Sequence, residues 1–331
     1  MRPPCVWQLP YSEFKICPEN HNTGHGVCYN AREVLLVRVY MKQNLVALVG
    51  TGAIAQGIAL TLARNALDVI IYDENRAALT SAVEGMSFSI DREIEKWGMT
   101  ENEKRAALSR ITTTTVKADL AQAAVFFESK GQDLSQKRDL MKKLDMISDD
   151  EALLIMTTTT ISVTEVSRVL RNPERLIGLH FLHPVYKVPV VEVVKGHQTS
   201  SATVDSTRKL LNELDRQYIE VFEYPGYVTT RVILPLLNEA MHVLMEGLAS
   251  AEDIDKAIRL GFDLSMGPLA LADFIGLDVL LGWMESLFRE LGDAKYRPCP
   301  LLRRHVREQK LGMKSLEGFF KYDKDGKKVS P

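Results

Sequence analysis

From residue 45 onward, short apolar blocks alternate with stretches in which apolar positions recur at helical spacing, which predicts strands and helices in succession. Residues 45–49, LVALV, form an apolar run closed by a glycine and predict a strand buried on both faces, and residues 69–72 predict another. Between them Ile54, Ile58 and Leu62 recur every four positions, so one face of a helix is apolar. A long helix is predicted from Arg76 to about Lys96, then a turn over 97–99 and a second helix over 101–108. A strand interrupted by Gln122 is predicted over 118–127, a helix over 133–144, a strand over 152–156 and a loop over 157–160 at that strand's carboxyl end. Thr164 fits a helix start, 176–179 and 188–194 read as strands, 201–214 as a helix and 218–222 as the last strand. Beyond Pro225 and Gly226 the pattern is helical only. A long apolar helix over 228–245 tolerates Pro235 as a kink, Ser250 and Asp253 have capping-box spacing, and a helix ending near 291 follows the turn-rich 266–278.

The unit over 45–73 carries the first chemical signal. Gly50 allows a tight turn, Gly52 lets backbone approach a pyrophosphate, Ala55 is the small third residue of the fingerprint, and the helix starting there aims free N–H groups at the anion. Asp73 ends the second strand where a carboxylate accepts bonds from an adenosine ribose 2′-hydroxyl and repels a 2′-phosphate, so NAD is expected over NADP.

A second signal is Glu192, which interrupts the otherwise apolar VPVVEVV. A lone buried carboxylate is too costly to leave unpaired, and its nearest plausible partner is His180, across the HFLHPVYKVP loop. Such a pair makes a base whose tautomer is set by the acid and whose pKa is raised; the alternative is a structural ion pair. Ser89 and Lys96 are seven residues apart and share a helix face, and Lys314 sits in a glycine- and aromatic-rich tail.

Composition excludes several classes. With 331 residues, 46% hydrophobic, 25% charged and a formal net charge of −2, the chain reads as an ordinary globular protein of two domains, with no basic excess for nucleic acid. No apolar run is long enough for a membrane span, 4 cysteines argue against a disulfide scaffold, and a cytoplasmic setting is expected. Residues 1–40 differ in character, with Cys5, Cys17 and Cys28 and four prolines. Joined with His21 and His25 these could be drawn as a zinc site, but no CxxC or HxxxH context supports one, and no metal is expected. The expectation is that the functional protein begins at Met41 and that 1–40 is a disordered leader outside the fold.

Several stretches resemble the L-3-hydroxyacyl-CoA dehydrogenases, most of all the bacterial 3-hydroxybutyryl-CoA type: the glycine turn with GIA at Gly57, RLIGLHFLHPVYKVPVVEVV, PGYVTTRVILPLLNEA, MGPLALADFIGLDV and KYRPCPLLRRHV. The resemblance covers residues 41–322. It implies an α/β fold, a Rossmann-type NAD-binding domain over 41–224 and an all-α substrate and dimerisation domain over 225–331. The implied reaction is NAD-linked oxidation of a short-chain 3-hydroxyacyl-CoA thioester in fatty-acid or butanoate metabolism. His180 falls on the family's general base and Glu192 on its carboxylate partner; Ser89 and Lys96 fall on coenzyme A contacts; Gly57, Lys137, Thr157 and Lys314 fall on cofactor positions; and Glu128 or Gln132 matches a family glutamate. The chain departs where the family's asparagines become Thr157, His183 and Thr230, where a serine becomes Thr159 and where a tail glycine becomes Leu316. Thr159, His183 and Thr230 retain a donor each. These departures leave two other readings, a binding protein without turnover and a dehydrogenase of a free hydroxy acid; Ser89 and Lys96 argue against the latter.

Overall fold

The computed structural model describes residues 44–94, 100–131 and 133–329. The expectations about the leader, Lys96, the turn at 97–99 and Gln132 lie outside them. Among the described residues, β1 (Leu45–Val49), β2 (Asp68–Tyr72), β3 (Ile111–Thr114), β4 (Val125–Glu128), β5 (Leu153–Thr157), β6 (Leu176–Phe181), β7 (Val190–Lys195) and β8 (Gln217–Phe222) form one sheet. Its order is β3-β2-β1-β4-β5-β6-β7-β8, parallel throughout except between β6 and β7. The strand order reverses between β1 and β4, where doubly wound sheets open a crevice for ligands.

The strands are apolar on both sides because both sides are covered. Phe126 and Leu154 enter one core layer with Met141, while their neighbours Phe127 and Ile155 enter the opposite layer with Ile58. Among the described residues, six α-helices belong to this half: α1 (Ala53–Arg64), α2 (Arg76–Ile94), α3 (Glu101–Ser109), α4 (Leu134–Ile147), α5 (Val163–Ser167) and α6 (Ser201–Glu213).

One strand carries no signal in the sequence, and two expectations need correction. Residues 111–114 form an edge strand, although ITTT has no apolar run; pairing with β2 holds it there. The strand expected over 118–127 begins only at Val125, because Lys117–Leu120 is a 3-10 turn that tucks Leu120 into the core. Helix α5 is capped by Ser162, whose hydroxyl accepts from Glu165 N at 3.0 Å; the Thr164 hydroxyl instead bonds Glu223.

The remaining helices, α7 (Thr229–Met245), α8 (Ala251–Gly261), α9 (Pro268–Ile275), α10 (Leu277–Leu291) and α11 (Pro300–Arg307), enclose a third core that includes Leu234, Leu237, Met241, Met284 and Leu287. No described helix is long and apolar enough to cross a membrane.

Candidate active site

A cavity of about 670 Å³ lies between the carboxyl ends of the central strands and α10. Its floor includes Gly52, Lys137, Thr157, Thr159 and His180; Asp278, Val279, Trp283 and Arg289 of α10 form the opposite wall.

The glycine turn has the shape an anion requires. Gly50 has φ of +119°, and a Cβ there would lie 2.8 Å from the Ser129 carbonyl oxygen, so only glycine fits. At Gly52 a Cβ would meet nothing within 4 Å, and no side chain caps α1. The first-turn N–H groups therefore face open space at the positive end of the helix. Ala55 is core, and a Cβ on Gly57 would be 2.7 Å from Val185, so these two small residues serve close packing of α1 rather than line the cavity. Asp73 is buried at the end of β2, its Oδ1 accepting from Asn75 N at 3.0 Å and from Lys130 Nζ at 3.0 Å. Together the open helix end, the glycine at its start and the carboxylate one strand away fit a dinucleotide.

His180 and Glu192 stand directly opposite each other on the antiparallel pair β6 and β7. Both are buried, at 3% and 1% exposure, and His180 Nδ1 is bonded to Glu192 Oε2. Glu192 also acts as the cap that α7 lacks in its own sequence: Oε1 accepts from Val228 N at 2.9 Å and Thr229 N at 3.0 Å, and Oε2 accepts from the Thr229 hydroxyl at 2.8 Å. Burial pushes the Glu192 pKa up, but the bonds from His180 and Thr229 outweigh it and hold the carboxyl below its ordinary range. An ionised carboxylate only accepts, so Nδ1 carries the proton and the neutral ring keeps its lone pair on Nε2. The Tyr227 ring lies 5.7 Å from the imidazole, its hydroxyl donating to Ile161 O at 3.3 Å.

The other named residues divide. Lys137 is buried and donates to Glu128 Oε2 at 2.5 Å, while Glu128 Oε1 accepts from Lys130 N and Gly131 N and so fixes the loop after β4. Thr157 donates to Ser129 Oγ at 3.0 Å. Lys314 pairs with Asp278 at 2.5 Å, at the edge of the cavity wall. Thr230 is buried in the first turn of α7. His183 is not brought to the cavity: it is exposed, its ring 5.8 Å from Phe274. Ser89 is half-buried on α2 and donates to Gly85 O at 2.9 Å, also away from the cavity. Sequence reasoning missed Thr229, Tyr227, Ser129 and the α10 wall. For Tyr227 and Thr229 the available signal was their place beside Pro225 and Gly226, where strands give way to helices.

Comparison with known proteins agrees with this arrangement. Residues 45–224 match the family profile described as 3-hydroxyacyl-CoA dehydrogenase, NAD binding domain, and residues 226–322 match that of the same family's C-terminal domain. A probable 3-hydroxybutyryl-CoA dehydrogenase of Bacillus subtilis is 38% identical over 283 residues, covering 86% of this chain and 98% of its own. The crystal structure of (S)-3-hydroxybutyryl-CoA dehydrogenase PaaH1 from Ralstonia eutropha superposes with a TM-score of 0.77 at 38% identity, over 85% of this chain and 99% of that one. FadB2 of M. tuberculosis gives a TM-score of 0.81 at 32% identity, over 84% and 98%. With both halves of the profile matched in order and relatives aligned nearly end to end, the chain belongs to the 3-hydroxyacyl-CoA dehydrogenase family.

Proposed function

We propose that the protein catalyses the reversible, NAD-dependent oxidation of a short-chain (3S)-3-hydroxyacyl-CoA, with 3-hydroxybutyryl-CoA as the substrate to test first. The observation that carries this reading is the buried His180–Glu192 pair at the floor of a cavity whose other end is an open, glycine-started helix terminus. When bound, NAD accepts the hydride that leaves C3 of the substrate. His180 Nε2 takes the proton of the 3-hydroxyl, and Glu192 stabilises the imidazolium so formed; a positioned base of this kind is worth about 10²- to 10⁴-fold in rate. In the reverse direction the same nitrogen returns the proton. The first-turn N–H groups of α1 bind the pyrophosphate, Asp73 the adenosine ribose, and Lys137 with Thr157 flanks the nicotinamide end. Thr159 supplies a hydroxyl donor around the thioester, whereas Thr230, buried in the first turn of α7, and His183, beside Phe274, stand outside the cavity lining. Ser89 and Lys96 are assigned to coenzyme A, and Lys314, through Asp278, to the closing wall.

The proposal includes a homodimer formed through the helical half. Val228, Val232 and Leu236 are 49%, 68% and 40% exposed at successive four-residue steps along the start of α7, and Leu260 and Phe262 are exposed near the end of α8. A cytoplasmic setting rests on the cysteine-poor composition.

The test follows NADH absorbance with acetoacetyl-CoA and then with free acetoacetate, using wild type and His180→Ala. Turnover of the thioester that disappears in His180→Ala supports the reading. Turnover of free acetoacetate alone would move the substrate outside coenzyme A thioesters, and NADH binding without turnover of either would leave a binding protein.

A further inference from the structure

The adenosine end of the crevice holds a charge pair that the fold alone does not require. Glu128 accepts from the backbone N–H groups of Lys130 and Gly131 at 2.8 Å and 2.7 Å, which fixes the direction in which the Lys130 side chain leaves the loop after β4. That side chain crosses the end of β1, the intervening strand, and places Nζ 3.0 Å from Asp73 Oδ1 at the end of β2. The lysine side chain is 39% exposed and the aspartate 6%. An exposed Arg76 opens α2 three residues beyond Asp73, and Lys117 lies over the Tyr72 ring at 5.7 Å.

We propose that Lys130 sets the cofactor preference at the ribose 2′ position and that the enzyme accepts 2′-phosphorylated nicotinamide dinucleotides as a second cofactor class beside NAD. The proposal rests on the dinucleotide reading of the glycine turn. An unpaired carboxylate at this place discriminates in two ways: it accepts bonds from a 2′-hydroxyl and it repels a 2′-phosphate. Here the repulsion is cancelled at its source, because an ammonium sits on the carboxylate oxygen. A lysine is a flexible point charge, so the two cofactors draw it differently. With NAD, the ribose hydroxyl donates to the carboxylate while Nζ stays on Oδ1; with the phosphorylated form, Nζ turns from the carboxylate to the phosphate. Asp73 keeps its value for NAD, so NAD stays preferred while the margin narrows.

The experiment measures kcat/KM for NADH and NADPH with one acyl-CoA substrate, together with binding of both by fluorescence titration, in wild type, Lys130→Met, Lys130→Gln and Asp73→Asn. A unit charge close to a phosphate in a half-exposed site is worth about ten-fold in affinity at low salt, shrinking as ionic strength rises. The expected result is measurable NADPH turnover by wild type. In both lysine variants the NADPH/NADH ratio falls at least about ten-fold, carried by KM for NADPH and smaller at high salt, and in Asp73→Asn the ratio rises. An NADPH/NADH ratio unchanged by both lysine substitutions overturns the role of Lys130 while NADH binding leaves the dinucleotide reading standing. Loss of binding of both cofactors by wild type overturns that reading and this one with it.

Discussion

Replacing Glu192 with glutamine changes one atom and tests the catalytic assignment where it is most exposed. The carboxylate receives four bonds, from Val228 N, Thr229 N, the Thr229 hydroxyl and His180 Nδ1. A glutamine that keeps its carbonyl oxygen toward the two backbone donors must turn its NH₂ toward the imidazole and the threonine hydroxyl. Nδ1 then has to accept, the proton moves to Nε2, and the nitrogen facing the cavity can no longer act as a base. The loss expected in kcat is therefore the full worth of a positioned base, about 10²- to 10⁴-fold, with NADH binding unchanged. If the amide turns the other way, two backbone N–H groups face NH₂ instead, and the first turn of α7 loses bonds to a charged group worth about 1.5–3 kcal/mol each. Activity and thermal midpoint measured together separate the two orientations. The pH dependence has a fixed sign. The Glu192 pKa is lowered by folding, so its contribution to stability is present above the ordinary carboxyl value of 4.5 and is lost as pH falls through the lower folded value. The stability gap between wild type and Glu192→Gln should accordingly stay constant above 4.5 and close as pH falls from there through the lower folded value. Turnover by the glutamine variant within about three-fold of wild type, at equal NADH affinity, would refute the role given to this carboxylate.

Further outcomes follow from the same geometry. Thr229→Val removes one hydroxyl bond to the charged oxygen and should lower kcat roughly ten-fold, with Thr229→Ser restoring it; an equal effect from both would mean that bulk, not the bond, matters. Gly52→Val should leave the thermal midpoint intact and raise KM for NADH at least about ten-fold, because its side chain enters the space above the helix terminus. Gly50→Ala should destabilise by about 1–3 kcal/mol in denaturant titration, since it strains a φ of +119° and meets the Ser129 carbonyl. Val232→Asp, at a 68% exposed position, should shift sedimentation from dimer to monomer; a monomeric wild type would remove the proposed interface.

How far the sequence could be read depended on which interactions leave a local mark. The unit from β1 to β2 was legible because a strand covered on both faces must be apolar throughout and a turn with φ of +119° must be glycine. The His180–Glu192 pair was legible for an energetic reason: a carboxylate inside VPVVEVV has to be neutralised by something near in the fold. Strand β3 was not, since an edge strand is stabilised by its ladder to β2 and needs no apolar run. Thr229 was hidden for a related reason. A threonine in the first turn of an apolar helix is unremarkable until the strand that caps the helix is known, and the cap here comes from 37 residues upstream. Lys130 and Asp73, 57 residues apart, meet only because β4 and β2 flank β1. The positions assigned by resemblance fared unevenly: Lys137 and Thr157 face the cavity, whereas Ser89 and His183 do not.

The departures from the family's asparagines gain a physical sense when taken together with Glu192. An asparagine amide both donates and accepts, so losing three of them removes donors and acceptors alike. Thr157 spends its hydroxyl proton on Ser129, and His183 is turned toward Phe274. Neither leaves a donor aimed at the cavity floor. What the chain does have is a heavily bonded acid: Glu192 is held by α7 through three contacts besides His180, one of them a side-chain hydroxyl. The helical half therefore reaches the base through the acid. A displacement of the first turn of α7 would free Glu192 from its cap and loosen the imidazole in the same motion, which ties proton transfer at Nε2 to the seating of α7 against β7. In such an arrangement the geometry of the base is set by contact between the two halves of the protein, and substitutions at the first turn of α7 should act on kcat before they act on cofactor binding.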